Sequence, residues 1–503
     1  MSHLTPTDGL GRTLLAVGLV AGLYLGLAGY FVQHGMINFD EGFYAYDARE
    51  VMRGRVPYRD FAYNQTPLLP YLQGAAMQVT GYGVREQRWI NAACGALALA
   101  LGLLVWRRQG VRWGHCALLV LVWCLCVPLL YYDTIGKTYA WAQLWLVVAA
   151  MAFFMPARPL IKLALFSLAG VLAVGCRLTV LPAVLGLWVG LAVLEKERLS
   201  WTLLVAVPVL TGLLILGPFF AADPINASFW PFFYNIPYHS RGAPLSQHLR
   251  SLGQSIALVP GIAALSAVAL TQAWRAPREP GSWMLWAGLA GWFLSAGLPE
   301  VLTDYATPCL PLVIVGSGCL LGPALRSSRA MTVGFPLVLC ALTVGGLFRI
   351  PYEVFLDGYL EAVDRTGAFV RDHTRPEDQV LTPMPEIALA AQRDVPAGLE
   401  LGKFGVTVEM DDAIALRRHI LTMERVRQLI GHEQVPVVVL CRFRNGNFAW
   451  SVPSLRRFSG PFQRQLFELL LQHYGCTYLD DHFLVFERRV PGGKYFSIDP
   501  AEL

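Results

Sequence analysis

Charge is what this chain has least of. Lys, Arg, Asp and Glu make up 15% of its 503 residues and hydrophobic residues 55%, whereas a soluble protein carries nearer a quarter charged residues. That shortage excludes an ordinary water-soluble enzyme. No secretory cleavage pattern precedes the first apolar run, about 14–32, which therefore reads as a retained anchor. The chain also lacks a Gly-rich phosphate loop, a CxxC pair and an HExxH helix, so nucleotide, redox-dithiol and zinc-protease readings have no support. A disulfide framework is missing too. Cys94, Cys116, Cys124, Cys126, Cys176, Cys309, Cys319 and Cys340 lie in or beside apolar runs, as small hydrophobes do. Only Cys441 and Cys476 lie in polar surroundings, where a bridge and two buried thiols both stay open. Nothing points to nucleic acid as a partner.

What is present is a series of apolar runs. After 14–32 they fall near 87–106, 114–131, 138–155, 162–176, 178–194, 202–221, 252–273, 283–299, 306–324 and 331–348. A bilayer crossing takes roughly 20 residues, so the expectation is a polytopic α-helical membrane protein of about eleven spans. Basic residues cluster in short connectors: Arg107, Arg108 and Arg112; Arg158 and Lys162; Lys196 and Arg198; Arg275 and Arg278; Arg326 and Arg329. Threaded alternately, all five connectors share one side, which the positive-inside rule makes cytoplasmic. The N-terminus is then cytoplasmic, and loops 33–84 and 223–254 face outward. Everything after Phe348 faces outward as well.

From Arg349 the composition becomes that of a soluble domain. Tyr352–His373 and Phe462–Tyr474 read as amphipathic helices, and Gln379–Thr382, Val435–Cys441 and His482–Phe486 as short buried strands. The division expected is a transmembrane catalytic domain, 1–348, and an extracytoplasmic α/β domain, 349–503, with no readable chemistry of its own. Gly402–Gly405 lacks the context of a dinucleotide site.

The chain is organised around 33–73. This stretch opens on adjacent acids, Asp40 and Glu41, and continues in a mixed aromatic and charged run, Phe43–Arg53, which Gly54 breaks. Its spacing predicts a helix lying flat in the interface, with Phe43, Tyr44, Ala48, Val51 and Met52 toward lipid and Asp47, Arg49, Glu50 and Arg53 toward water. Thr66-Pro67 reads as the cap and first turn of another helix.

Several segments carry a resemblance: Asp40-Glu41-Gly42, then Gly54 to Phe61, Gln65 to Tyr71, Arg177-Leu178-Thr179 with Leu181-Pro182, and Asp304-Tyr305 with Pro308 and Pro311. Together they resemble the GT-C superfamily of membrane glycosyltransferases, in particular bacterial relatives of protein O-mannosyltransferases and of the lipid A aminoarabinose transferase. The resemblance spans the whole chain. It departs at Gln65-Thr66-Pro67-Leu68, where the aminoarabinose transferase has Glu-Lys-Pro-Pro. A second carboxylate and a lysine are absent there, so that enzyme's metal site and lipid A specificity do not carry over.

The resemblance implies an inverting transfer of a sugar from a polyprenyl-phosphate donor to a hydroxyl of a lipid, glycan or protein, at the outer face of a bacterial inner membrane. Such a transfer needs a carboxylate to accept the hydroxyl proton and cations to hold the departing phosphate. The resemblance selects Asp40 as base and Glu41 as support; the competing reading is that Asp40 merely caps a helix. Arg177 interrupts an apolar stretch, and Lys137, Tyr305, His239 and Arg241 join it as candidates for donor phosphate or sugar. Snorkelling, an aromatic belt and loop polarity are the plainer readings of these. No organic cofactor is called for. A divalent cation is a candidate, with Asp40, Glu41 and His34 as its ligands. Transporter or flippase and non-catalytic scaffold are the alternatives; the first needs a site near the midplane, and the central spans carry few charges.

Overall fold

The computed structural model describes residues 6–35, 38, 40–234, 245–296, 303–324, 334–347, 358–407, 410–442, 448–449 and 460–498. These residues group into two compact units. One comprises Met1–Val32, Arg88–Pro218 and Phe232–Val354; the other comprises Gln33–Gln87, Phe219–Pro231 and Phe355–Leu503.

The first unit is built of helices. In chain order they are α1 (Pro6–His34), α2 (Glu41–Met52) and α3 (Leu68–Thr80), of which the last two belong to the other unit. There follow α4 (Val84–Arg108), α5 (Trp113–Cys124), α6 (Val127–Asp133), α7 (Tyr139–Met151), α8 (Pro159–Cys176), α9 (Leu181–Glu195) and α10 (Trp201–Ala222). A short α11 (Pro224–Ser228) precedes α12 (Leu245–Leu258), α13 (Pro260–Arg275), α14 (Pro280–Ala296), α15 (Leu310–Ala324) and α16 (Phe335–Leu347). Among the described residues five helices are long and apolar enough to cross a membrane, or up to seven if each bent pair counts as one span. The bent pairs are α5 with α6, at 64°, and α12 with α13, at 98°. Apolar helices of 10–17 residues add to these. The protein is a multi-pass membrane protein.

Small residues bring the membrane helices close, as is usual where lipid supplies no hydrophobic drive for association. A Cβ on Gly186 of α9 would lie 2.9 Å from Ala287 Cα of α14, and one on Gly316 of α15 would lie 2.6 Å from Leu285 N of α14. The packing of α14 against α9 and α15 rests on that absence of side chains. The remaining cysteines of this unit are free thiols, as expected of small hydrophobes.

The second unit holds the C-terminal α/β fold together with α2, α3 and α11. Its further helices are α17 (Tyr359–Asp372), α18 (Pro385–Ala390), α19 (Asp412–Arg417), α20 (Met423–Gly431) and α21 (Gly460–His473). Its strands are β1 (Val380–Leu381), β2 (Val406–Thr407), β3 (Leu421–Thr422), β4 (Val437–Arg442), β5 (Phe448–Ala449), β6 (Tyr474–Leu479) and β7 (Phe483–Arg488). The main sheet runs β1-β4-β7-β6, with β5 also on β4. β1 and β4 are parallel and β7 is antiparallel to both β4 and β6. β4 sits centrally because Val437-Val438-Val439-Leu440-Cys441 is apolar on both faces and β-branched. Expected strands at 379–382, 435–441 and 482–486 are found as β1, β4 and β7, while β6 lies inside and beyond the stretch read as the end of a helix. Part of the expected helix 352–373 lies outside the described residues; its described part is α17. Cys441 and Cys476 are buried free thiols.

Candidate active site

α2 is the helix expected after the acid pair, but its setting differs from the expectation. Residues 41–51 are all buried, so the helix does not lie flat at an interface. Two of the charges that looked water-facing, Arg49 and Arg53, share a partner more than 300 residues away. Arg49 Nη2 lies 2.6 Å and Arg53 Nη1 2.7 Å from Asp394 Oδ1. Arg55 bridges Glu50 Oε2 at 2.9 Å and Glu400 Oε1 at 2.8 Å, and it also donates to the Asp60 carbonyl at 2.6 Å. Tyr46 Oη accepts from Val395 N at 3.1 Å. These contacts hold 41–60 against the C-terminal residues 394–400.

The segment Gly54–Phe61 is a tight turn closed by Tyr58 N donating to the Phe61 carbonyl at 2.9 Å. Tyr58 has φ +73°, a left-handed conformation unusual for a bulky residue. The start of the loop expected at 223–254 meets this turn: Asn226 Nδ2 donates to the Tyr58 carbonyl at 3.3 Å. α3 begins at Leu68 with Pro67, rather than Thr66, in the cap position.

Asp40 occupies the N-cap position of α2, yet its side chain accepts no capping hydrogen bond. Its Oδ1 instead lies 3.2 Å from Lys403 Nζ. The next residue, Glu41, folds back on the preceding turn, its Oε1 accepting from Asn38 N at 2.6 Å. Lys403 sits on the 3-10 turn Gly402–Gly405. Gly402 has φ +58° and lies so close to Pro383 and Pro385 that a Cβ there would be 2.8 Å from the Pro383 carbonyl oxygen. That contact places Lys403 beside the first turn of α18, which carries Glu386.

Glu386 is fully buried, and among the described residues neither of its carboxyl oxygens has a hydrogen-bond partner. It packs on the first turn of α2: a Cβ on Gly42 would overlap its Oε2 and lie 2.7 Å from its Cδ. Burial, with the charges of Glu41 and Asp40 adding to it and Lys403 opposing it, pushes the Glu386 carboxyl up to about 8. It is therefore uncharged at neutral pH. Asp47, on the same helix, is likewise buried with both oxygens unpartnered among the described residues. Desolvation, with Glu400 and Glu50 nearby, raises it well above the ordinary carboxylate range.

The sequence offered no signal for Lys403 or Glu386, because each is an ordinary residue until the fold sets it beside Asp40. As for a divalent cation, no group of three His, Cys, Asp or Glu side chains among the described residues is placed to hold one. Of the trio considered for a cation, Asp40 lies beside Lys403, Glu41 beside the Asn38 amide, and His34 ends α1.

In the membrane unit, three other expected residues come together. Arg177, at the end of α8, is buried between two aromatic rings, its Cζ 4.2 Å from the Tyr139 centroid and 4.4 Å from that of Tyr305. Its Nη1 donates to Thr138 Oγ1 at 2.8 Å and its Nε to Thr179 Oγ1 at 2.9 Å. Lys137 is also buried, with Nζ 5.6 Å from the same Tyr139 ring. Asn91 of α4 holds this loop by donating to the Ile135 carbonyl at 2.5 Å and the Lys137 carbonyl at 3.0 Å. Two cations and a tyrosine thus share one small site. Such a grouping suits an anion, since guanidinium and ammonium offer charge-assisted bonds where water is scarce. Snorkelling toward a membrane surface does not describe Arg177, which is stacked and hydrogen-bonded. His239 and Arg241 lie outside the described residues.

No protein-family model and no curated protein matches the chain. Among solved structures, it is similar to ArnT from Cupriavidus metallidurans bound to undecaprenyl phosphate, with a TM-score of 0.61 and 15% identity over 96% of this chain and 98% of that one. The apo state of the same protein matches at a TM-score of 0.62 and 14% identity over the same shares. The Archaeoglobus fulgidus oligosaccharyltransferase, tethered with an acceptor peptide, matches at 0.50 and 11% identity over 94% of this chain and 74% of that one. At such identities the likeness establishes the fold alone: this chain shares the architecture of these solved structures, as the resemblance implied.

Proposed function

We propose that this chain is an inverting membrane glycosyltransferase that moves a sugar from a polyprenyl-phosphate donor to an acceptor hydroxyl, with Asp40 as general base. The observation that carries the reading is Asp40 itself. It stands at the head of a buried helix with its carboxylate turned away from capping and toward a lysine. In the reaction the acceptor oxygen attacks the anomeric carbon as the bond from that carbon to the phosphate oxygen breaks. The acceptor proton passes to Asp40, and polyprenyl phosphate departs carrying the extra negative charge. Arg177, Lys137 and Tyr305 are the residues suited to hold that phosphate. Support for the donor class comes from the undecaprenyl phosphate bound by a protein of the same fold. The orientation that goes with this reading puts Asp40 and the C-terminal residues on the extracytoplasmic side of a bacterial inner membrane.

The test is to incubate purified protein with a panel of polyprenyl-phosphate sugars and acceptors and to measure release of polyprenyl phosphate. Asp40→Asn keeps the shape and removes the base, so transfer should fall by about 10²–10⁴-fold with the unfolding temperature unchanged. Wild-type turnover in that variant would remove Asp40 as base. A larger loss in Glu41→Gln than in Asp40→Asn would exchange the two roles.

A further inference from the structure

Four ionisable groups meet at the start of α2, and they come from two distant parts of the chain. Asp40 and Glu41 head the helix, Glu386 comes from α18, and Lys403 comes from the 3-10 turn. Three of them are acids and one, Lys403, is a base. Lys403 is on Asp40, at 3.2 Å. Glu386 is aimed into the same cluster, fully buried, with neither oxygen hydrogen-bonded among the described residues. Two close approaches hold this arrangement in place, Gly42 on Glu386 and Gly402 on the Pro383–Pro385 corner.

We propose that Lys403 is a positioning residue that holds the Asp40 carboxylate in place, and that Glu386 controls the hold: uncharged, it leaves Lys403 to Asp40; ionised, it draws Lys403 away. The second half follows from electrostatics. An ionised carboxylate without hydrogen bonds in a buried site is strongly unfavourable unless a cation approaches it. Lys403 is the cation among the groups that act on Glu386, the others being Glu41 and Asp40. α17, which meets α18 at Gly367 and Ala390, has no charged residue on its buried face. Glu386 loses its proton near pH 8, so the exchange falls in that range. The proposal rests on Asp40 being the base, and its two arms are chosen so that either can fail alone.

The first arm is kinetic. Lys403→Met should lower kcat by tenfold or more and leave the KM for the polyprenyl-phosphate donor within about twofold, and Lys403→Arg should recover part of kcat. A rise in donor KM at unchanged kcat would instead make Lys403 a phosphate ligand and overturn the positioning role. In wild type kcat should fall as pH rises through about 8; in Glu386→Gln, which cannot ionise, that limb should be absent. The same limb in both would overturn the control by Glu386.

The second arm needs no turnover and holds even if no donor is accepted. The acylation rate of Lys403 in the full-length protein is read by mass spectrometry. At pH 7 wild type and Glu386→Gln should react alike and Asp40→Asn several-fold faster. At pH 9 wild type, in which the ionised Glu386 takes up Lys403 and adds its charge to those of Asp40 and Glu41 in holding the lysine proton, should react several-fold more slowly than Glu386→Gln. Equal rates in all three proteins at both pH values would overturn the proposal, also where Lys403→Met fails to fold.

Discussion

Gly42→Ala tests the contact on which the candidate site depends. In an exposed helix interior the change would stabilise, because Ala is about 1 kcal/mol better than Gly. Here the added methyl would overlap Glu386 Oε2 and stand 2.7 Å from Glu386 Cδ and 2.9 Å from its backbone N. The carboxyl can turn aside, but the backbone nitrogen at the start of α18 moves only with the helix. Overpacking of this kind typically costs about 1–3 kcal/mol, so after the helix gain of about 1 kcal/mol a net effect between about zero and a loss of about 2 kcal/mol is expected. A second substitution separates side chain from backbone. In a Glu386→Ala background the Oε2 and Cδ contacts vanish, and Gly42→Ala should then be close to neutral. The coupling between the two changes is expected to be about 1–2 kcal/mol, within the range for residues in direct contact. The measurement is denaturant unfolding of the four proteins in detergent at pH 7, where Glu386 is uncharged and no ion enters the comparison. If Gly42→Ala is more stable than wild type by the full helix gain of about 1 kcal/mol, α18 does not pack on α2 at Gly42. If it is destabilised equally in both backgrounds, the strain lies in the backbone contact at the start of α18 and not in the Glu386 carboxyl.

Other outcomes follow from individual residues. Glu386 binds its proton more tightly folded than unfolded, 4.5 moving to about 8. Its contribution is therefore full below pH 4.5 and is lost as pH rises to about 8, at about 1.4 kcal/mol per pH unit. Glu386→Gln should remove that slope and at pH 7 be more stable by up to about 3 kcal/mol; parallel stability curves for the two proteins would refute this. Arg177→Ala should weaken donor use about tenfold to a hundredfold, from roughly 1.5–3 kcal/mol of charge-assisted bonding. Arg177→Lys should recover only part, and unchanged donor dependence in the alanine variant would take Arg177 off the site. Arg55→Ala leaves Glu400 buried without its cation and should cost about 3–5 kcal/mol, whereas Arg59→Ala, which removes an exposed pair with Asp60, should cost under about 1 kcal/mol; similar losses in both would refute the burial argument. Asn226-Ala227-Ser228 is a glycosylation sequon, but Asn226 is buried with its amide donating to the Arg417 carbonyl at 2.9 Å. Expression in a glycosylating host should leave it unmodified by mass spectrometry.

The parts of this fold that were legible in the sequence are those set by local composition. Apolar runs marked the membrane helices, Val437–Cys441 marked the central strand, and Gly54, at φ +88°, marked the end of α2. The acid pair was legible because two adjacent carboxylates after an apolar span are conspicuous. What could not be read was pairing at long range. Arg49, Arg53 and Glu50 follow the pattern of a helix with one wet face, and nothing local says that Asp394 and Arg55 neutralise them. Hence α2 was expected at an interface and is found buried. Lys403 illustrates the same limit from the other side: a lysine between glycines reads as a surface turn, and only the approach of Gly402 to Pro383 and Pro385 turns it toward Asp40.

Buried polar groups are nearly always hydrogen-bonded, so the places where that rule fails carry information. Among the described residues of the second unit two carboxyls fail it fully, Asp47 and Glu386. Both flank α2, one on its own face and one from α18. Around Asp47 the other charges are satisfied: Glu50 and Glu400 share Arg55, and Asp394 takes Arg49 and Arg53. The ion pairs therefore fasten the helix, and the two acids without hydrogen bonds among the described residues are what the fastening leaves over. For Glu386 an apolar residue of similar size would remove the unsatisfied oxygens and the stability lost above pH 4.5 with them. A group that weakens the fold while facing Asp40, Glu41 and Lys403 is better accounted for by what it does to their charges than by packing. Local rules fail most often at functional sites, and here they fail around Asp40.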